Sequence, residues 1–162
     1  MDLSNPKEMD KYFMRQAIGE AEKAYAADEV PIGVVITRQN KIIARANNQV
    51  ELLKDPTAHA EMIALTQASE TLGAPRLLET TVYVTLEPCP MCVGAMILAR
   101  IERLVFGARE EKTGACGSKI HLLADASWNH KFRIEEGLLE FESAALLQEF
   151  FKKKRASRDI PS

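Results

Sequence analysis

The stretch TTVYVTLEPCPMCVGAMILAR, residues 80–100, joins a strand, a tight turn and a helix, and it decides the expected fold. Its first part, TTVYVTL at 80–86, is rich in β-branched residues and favours a strand. Pro88 ends that strand, and the apolar residues after it predict a helix to about Arg100. The next apolar run, RLVFGA at 103–108, predicts a second buried strand. A strand–helix–strand unit of this kind places its two strands parallel in one sheet.

The rest of the chain supplies elements on either side of this unit. Before this unit, the patterns predict a helix at 8–27, a hairpin of strands at 30–37 and 41–46, a polar loop from Asn47 to Pro56, and a helix from Thr57 to Leu72. After it, they predict a loop-rich stretch at 109–133 with a short helical segment near His121 to Ala124. A short strand within Ile134 to Leu139 and a helix from about Glu142 to Arg155 complete the predicted order. Asp55 and Thr57 are expected to cap the helix that begins there. This order predicts a mixed sheet with helices on both faces.

Length and composition indicate one globular domain over residues 1–162, with 46% hydrophobic and 27% charged residues. The first residues lack the basic and apolar regions of a signal peptide. The longest apolar run, Val93 to Ala99, is too short to span a bilayer. Three cysteines do not make a disulfide framework. We therefore expect a cytoplasmic protein without a membrane partner.

The charge of the chain is uneven. The net charge of −2 gives no support to nucleic-acid binding over the whole chain. The last eleven residues, from Lys152, carry a net charge of +4, which leaves −6 on the remainder. This basic helix end and tail is either a phosphate-contacting patch or a solvated helix end whose cations suit the helix dipole.

Cys89 and Cys92 form a CxxC motif at the predicted strand-to-helix junction. Such a motif is typical of a redox pair or of half a structural zinc site. A closed four-ligand site needs two further cysteine or histidine ligands, and the sequence contains no second CxxC or HxxxH pair. Cysteines three apart in a first helical turn share one face, where the positive end of the helix dipole favours thiolates.

His59 and Glu61 add a third candidate ligand and a candidate base. A histidine at the start of a second helix would complete three protein ligands and leave the fourth position of a zinc ion to water or hydroxide. Residues two apart on a regular helix point to different sides, so both can approach one metal only at the helix start. In this interpretation Glu61 does not ligate the metal but transfers a proton between water and substrate.

The two motifs match H-x-E…P-C-x-x-C, the signature of zinc-dependent nucleobase deaminases. The chain resembles the cytidine-deaminase-like superfamily, and within it the bacterial tRNA-specific adenosine deaminases. The similar stretches are DPTAHAEMIAL at 55–65, YVTLEPCPMCVGAMILARI at 83–101, VFGAREEKTGACGS at 105–118, NH at 129–130, and the later EGLL and LLQEFFKKKR. Together they extend over nearly the whole length.

The resemblance implies a cytidine-deaminase-like fold, a three-layer α/β/α sandwich, and a homodimer. It implies one Zn²⁺ per subunit, held by His59, Cys89 and Cys92, with Glu61 as proton shuttle. Asn48 matches the asparagine that binds the target nucleoside. The implied substrate is the wobble adenosine of a tRNA anticodon loop, which is hydrolysed to inosine. Further implied roles are a pocket shaped by Pro88 and the Glu87 carbonyl region, and contacts with the RNA backbone from the basic tail, Arg109, Lys112 and Lys119.

Some positions keep two interpretations. Glu110 stands where some family members carry an aspartate that contacts the substrate sugar. This departure, and the net negative charge of the residues before Lys152, leave open a second function. The chain could be a deaminase of a free base or nucleoside, of the guanine or cytosine type. Trp128 either stacks a base or packs under its loop, and Asn129 with His130 either bonds within the loop or contacts RNA. Cys116 is expected to be a small loop residue and not a ligand.

Overall fold

The computed structural model describes residue 2 and residues 4–158, and a five-stranded sheet runs through this part of the chain. The helices are α1 (Pro6–Ala26), α2 (Val50–Leu53), α3 (Ala60–Leu72), α4 (Pro90–Ala99) and α5 (Glu140–Arg158), and the strands are β1 (Gly33–Arg38), β2 (Lys41–Asn47), β3 (Thr80–Leu86), β4 (Arg103–Ala108) and β5 (Arg133–Glu136). A single 3-10 turn at Leu122–Ala124 precedes β5. No helix in the described ranges has the length and apolar character needed to cross a membrane.

The sheet has the strand order β2-β1-β3-β4-β5. β1 is antiparallel to both of its neighbours, with Val35 opposite Tyr83 of β3. β3, β4 and β5 are parallel, with Tyr83 opposite Val105 and Val105 opposite Glu135. The predicted mixed sheet is therefore confirmed. β2 is the edge strand, and the chain crosses from it over α3 to β3, so β1 lies antiparallel between two strands that run in the same direction.

Both faces of the sheet are covered by helices, since every central strand alternates apolar side chains between the two sides. On one face, residues such as Val84 and Phe106 pack with α3 and α4. On the other face, Val35, Tyr83 and Val105 pack against α1, and α5 contacts β4 on that side of the sheet. These layers confirm the predicted α/β/α sandwich. Because the strands are buried on both faces, their sequences are nearly continuous apolar runs. The predicted bounds of β3 and β4 therefore match the observed ones.

Gly33 is a point of close approach between α1 and the sheet. A Cβ atom at this position would lie 1.9 Å from the carbonyl oxygen of Ala17 and 2.4 Å from the backbone nitrogen of Ala21. Only glycine leaves room for the helix backbone there. The Gly33 N–H donates to the hydroxyl of Thr85 across the sheet, at 3.1 Å.

Several predicted element boundaries differ from the structure. Helix α1 starts at Pro6 because Asn5 caps it by accepting a hydrogen bond from the Lys7 N–H. The capping prediction for α3 is wrong, since Asp55 bonds the N–H and hydroxyl of Thr57 and His59 is the residue before the helix.

Two more predictions need correction. The predicted loop 47–56 contains α2, whose N–H groups at Glu51 and Leu52 bond the carboxylate of Glu29. The last helix begins at Glu140, two residues before the predicted start, after a turn in which Gly137 has a φ of 87°. In the predicted basic tail, residues 159–162 lie outside the described residues.

Candidate functional site

His59 and Glu61 lie at the start of α3, where the backbone passes from an extended loop into the helix. His59 is the N-cap, with φ −70° and ψ 147°, and its side chain makes no capping hydrogen bond. Glu61 is in the first turn and is only 4% exposed. The extended backbone at His59 turns its imidazole toward the side on which Glu61 is buried. The geometric condition for both side chains to approach one metal is therefore met.

Cys89 and Cys92 lie at the start of α4, directly after β3. Cys89 is the N-cap, and Pro90 takes the first helical position, where the absence of an N–H costs little. Cys92 is fully buried one turn further along. The strand end and the helix start thus place both sulfur atoms on one side of the junction.

Three ligand atoms from these two helix starts converge. The Nδ1 atom of His59 lies 3.6 Å from the Sγ atom of Cys89 and 3.6 Å from that of Cys92, and the two sulfur atoms are 3.7 Å apart. This arrangement could hold one metal ion between the three side chains. The sequence motifs predicted these three residues, and the structure brings them together.

The electrostatics of the cluster favour a bound cation. A hydrogen bond shared with the Cys92 thiol lowers the pKa of Cys89 to about 5, and the coulombic effect of His59 acts in the same direction. The same hydrogen bond, together with burial, raises the pKa of Cys92 well above that of a free thiol. The lowered pKa of Cys89 favours its thiolate, and a cation that displaces the remaining proton would find two soft ligands.

Glu61 lies beside the cluster as a buried carboxyl group. Burial raises its pKa above the ordinary value. Its Oε1 atom is buried and has no hydrogen-bond partner among the described residues. An unsatisfied buried carboxyl oxygen is costly, so it is expected where a ligand or reactant supplies the missing contact.

A cavity of about 130 Å³ opens at this cluster. Its lining comes from both helical layers and from the loop after β4: Val30, Ile32, His59, Glu61, Leu86, Glu87, Cys89, Glu110, Thr113, Leu147 and Phe151. A larger groove of about 860 Å³ shares Val30 and Phe151 with it, so the two spaces adjoin. The Lys154, Arg155 and Arg158 side chains of α5 line that groove.

Asn48 is buried at the end of β2 and does not line the small cavity. Its N–H donates to the carbonyl oxygen of Ile32, a lining residue, and the next N–H, of Gln49, donates to the carbonyl oxygen of Ala58. Asn48 therefore lies between one wall of the cavity and the residue before His59. Its contact with a nucleoside stays a prediction.

Glu87 is a residue whose role the sequence reasoning missed. The resemblance suggested only its carbonyl region, but the residue is 3% exposed and its carboxylate accepts hydrogen bonds from the loop that follows β4. Burial acts to raise the pKa of this carboxyl group, but the hydrogen bonds from Ser118, Cys116 and Glu110 outweigh burial and lower it. The sequence did contain a signal for this role. Glu87 directly follows an apolar strand, and a carboxylate buried there needs hydrogen-bond donors nearby.

The basic end of α5 is partly engaged within the chain. Lys154 pairs with Asp28 at 2.7 Å, and Lys153 lies 4.7 Å from the centre of the Tyr25 ring. Within the described ranges, Arg155 and Arg158 make no ion pair, and both side chains are exposed. They also occupy the last turn, where cations suit the helix dipole. Both interpretations of the basic end therefore remain compatible with its geometry.

Three other predicted positions are bonded to groups within the chain. The Trp128 indole N–H donates to the carbonyl oxygen of Leu122 at 2.8 Å. His130 donates through Nε2 to the carbonyl oxygen of Ile101 at 2.7 Å. Arg109, predicted as an RNA contact, pairs with Glu136 at 2.7 Å on the surface.

Comparison with known proteins agrees with this geometry. The model of the MafB19-like deaminase family matches residues 8–155, which makes this chain a deaminase by class. The tRNA-specific adenosine deaminase of Bacillus subtilis is 46% identical over 92% of this chain and 95% of its own length. That of Haemophilus influenzae is 44% identical over 94% and 89%. The chain belongs to the family of tRNA-specific adenosine deaminases, as its motifs predicted.

One solved structure supports the same assignment, and a second shows the same fold. A structure from a study of A-to-I editing by tRNA:A34 deaminases at the wobble position is 43% identical, with a TM-score of 0.81 over 84% of this chain and 99% of that one. Guanine deaminase from Nitrosomonas europaea is 24% identical, with a TM-score of 0.75 over 86% of this chain and 83% of that one. The second likeness shows a shared fold alone.

Proposed function

We propose that this chain hydrolyses adenosine to inosine at the wobble position of a tRNA anticodon loop, with release of ammonia. The observation that carries the chemistry is Glu61, a buried carboxyl group with an unpartnered oxygen beside a His/Cys/Cys cluster. The substrate class follows from family membership, since the relatives at 44–46% identity described above carry that activity in their names.

His59, Cys89 and Cys92 fit a tetrahedral zinc ion. With Zn–S bonds of about 2.3 Å and a Zn–N bond of about 2.05 Å, tetrahedral angles require about 3.8 Å between the sulfur atoms and about 3.6 Å between nitrogen and sulfur. The observed separations are 3.7 Å and 3.6 Å. Three protein ligands leave one position for a water or hydroxide.

Glu61 is proposed to move the protons of the reaction. Zinc at this site supplies Lewis acidity that makes water a nucleophile at neutral pH. Glu61 accepts the proton that the attacking water gives up and returns it to the ring nitrogen next to the carbon under attack. The remaining proton of the added hydroxyl group then passes through Glu61 to the exocyclic amine, the C–N bond breaks as the C=O bond of inosine forms, and ammonia leaves. Burial keeps this carboxyl group ready to hold a proton, since it raises the pKa.

The small cavity and the larger groove beside it together suit one base of a single-stranded RNA. A base that is out of its stack enters the small cavity, and the anticodon loop already presents its bases in that way. The backbone on either side then lies along the larger groove, where Arg155 and Arg158 face the phosphates. Asn48, next to the cavity wall, is proposed to bind the nucleoside.

A deaminase of a free base or nucleoside has weaker support. The guanine deaminase of Nitrosomonas europaea shares the fold at 24% identity, whereas the relatives at 44–46% identity are tRNA enzymes by name. The groove beside the small cavity also exceeds what a free base needs. We therefore keep the RNA substrate as the proposal.

The whole chain is proposed to form one zinc-dependent domain that acts in the cytoplasm as a homodimer. Support for an interface comes from large apolar side chains on the surface, above all Leu98 of α4, which is 82% exposed. Sedimentation equilibrium measures the mass of the wild type, which is expected to be a dimer, and of Leu98→Asp, in which a charge at this surface is expected to weaken the dimer. A wild-type protein that sediments as a monomer at micromolar concentration would count against it.

The experiment that tests the function compares four substrates. The zinc-loaded protein is incubated with an anticodon stem-loop that bears a wobble adenosine, and separately with free adenosine, guanine and cytosine. Inosine is expected in the RNA alone, and not in the same stem-loop with the adenosine moved by one position. Turnover of a free base with the RNA untouched would refute the substrate assignment.

A further inference from the structure

We propose that Glu87 is a positioning residue, whose carboxylate holds the loop of residues 109–118, here called the wall loop, against the substrate cavity. The proposal deepens the proposed function, and rests on it for the identity of the substrate. The wall loop contributes Glu110 and Thr113 to the cavity, which His59 and Glu61 also line. Its position therefore decides the shape of the space that receives the base.

The contacts of the Glu87 carboxylate all come from the wall loop. Its Oε1 atom accepts from the N–H of Glu110 at 3.2 Å. Its Oε2 atom accepts from the N–H of Cys116 at 2.9 Å and from the N–H of Ser118 at 3.2 Å. The hydroxyl of Ser118 donates to Oε1 as well. One side chain thus bonds both ends of a nine-residue span of loop.

Gly114 shows how closely the loop wraps this carboxylate. A Cβ atom at Gly114 would lie 2.4 Å from both the Cδ and the Oε2 atoms of Glu87, and 2.5 Å from the carbonyl oxygen of Glu110. No side chain fits there without moving the carboxylate or the loop. The glycine and the carboxylate therefore form one packed unit.

Glu87 is among the residues that line the cavity, but its carboxylate is bonded to the wall loop, and through this loop we expect it to act on the substrate. Four donors already occupy its two oxygen atoms, so few lone pairs remain for a ligand. Glu87 also lies two residues before Cys89, directly after β3. Its side chain therefore links the strand-to-helix junction that carries the cysteines to the wall loop.

The loop keeps a second anchor when this carboxylate is changed. The N–H of Ala115 donates to the carbonyl oxygen of Pro88 at 2.9 Å, a backbone contact that no side-chain substitution removes. A neutral, isosteric variant such as Glu87→Gln should therefore fold. It offers one acceptor oxygen in place of two and turns an amide group toward backbone donors, which weakens the attachment of the loop.

The test combines kinetics, metal content and hydrogen exchange on the zinc-loaded protein. For Glu87→Gln we expect the KM for the anticodon stem-loop to rise about tenfold or more, with a smaller fall in kcat and unchanged zinc content. The amides of Glu110, Cys116 and Ser118 should exchange faster than in the wild type. The matched control is Glu111→Gln, which removes an exposed charge from the same loop and should change neither exchange nor KM by more than about twofold.

Ser118→Ala gives a milder second probe. It removes one donor and should raise the KM less than Glu87→Gln does. In the double variant it should add little to the effect of Glu87→Gln, because both changes break the same contact. Unchanged loop exchange, or faster exchange with an unchanged KM, would overturn the proposal. Loss of zinc in Glu87→Gln would overturn it too, since the effect would then act through the metal ligands. The exchange readout needs no substrate, so it tests the loop attachment even if the wild type does not act on RNA.

Discussion

The Nδ1 atom of His59 lies 3.6 Å from the Sγ atom of Cys92, although 33 positions separate the two residues in the chain. One atom lies at the start of α3 and the other in the first turn of α4, both on the same face of the sheet. The distance equals that expected for two ligands of one tetrahedral zinc ion, about 3.6 Å.

The first prediction concerns metal content. Cys89→Ser, Cys92→Ser and His59→Ala should each lose stoichiometric zinc and all measurable deamination, because two remaining ligands hold zinc weakly. Inductively coupled plasma mass spectrometry measures the zinc per subunit. Cys116→Ser is the matched control and should keep about one zinc ion. Loss of zinc in that control would mean a closed site with a fourth protein ligand.

The second prediction concerns Glu61. Glu61→Gln keeps the size of the side chain but cannot transfer a proton, so kcat should fall by at least about 100-fold. Zinc content should not change, since this residue is not among the proposed ligands. Glu70→Gln, on the exposed side of the same helix, should leave kcat unaltered. An active Glu61→Gln enzyme would assign the proton transfer to another group.

The third prediction concerns the basic end of α5. Arg155→Ala with Arg158→Ala should raise the KM for the stem-loop with little effect on kcat, because these residues contact phosphates at a distance from the reacting base. The salt dependence of log K should become shallower by about 0.7 for each phosphate that the protein no longer neutralises. Lys41→Ala removes an exposed cation at the far end of β2 and should change neither quantity. Equal effects from all three residues would indicate non-specific attraction only.

The fourth prediction concerns the packing of α1 on the sheet. Gly33→Ala should destabilise the fold by more than about 2 kcal/mol, because the added methyl group would overlap the backbone of α1. Gly19→Ala in α1 should instead stabilise the fold, because a Cβ there meets nothing within 4 Å. Alanine is more stable than glycine in a helix interior by about 0.5–1 kcal/mol. Urea denaturation of both variants measures the difference. Equal stabilities would show that α1 shifts freely on β1.

The sequence predicted the parts of the molecule that are specified locally. β3 and β4 were predicted to the residue because they are continuous apolar runs, and the three candidate ligands because their motifs mark two helix starts. α2 was missed because its cap is the carboxylate of Glu29, over twenty residues earlier. The role of Glu87 was missed for the same reason, since its partners lie in a loop that only the folded chain brings near. Long-range hydrogen bonds leave no periodic pattern in a sequence.

The cavity takes its two sides from different layers of the sandwich. His59 and Cys89 belong to the layer of α3 and α4, whereas Leu147 and Phe151 belong to α5, on the other side of the sheet. We therefore expect substitutions along α5 to change the width and polarity of the cavity without moving a candidate metal ligand. This separation makes α5 the natural place to alter which base is accepted, and α3 with α4 the place to leave untouched, in any redesign of the enzyme.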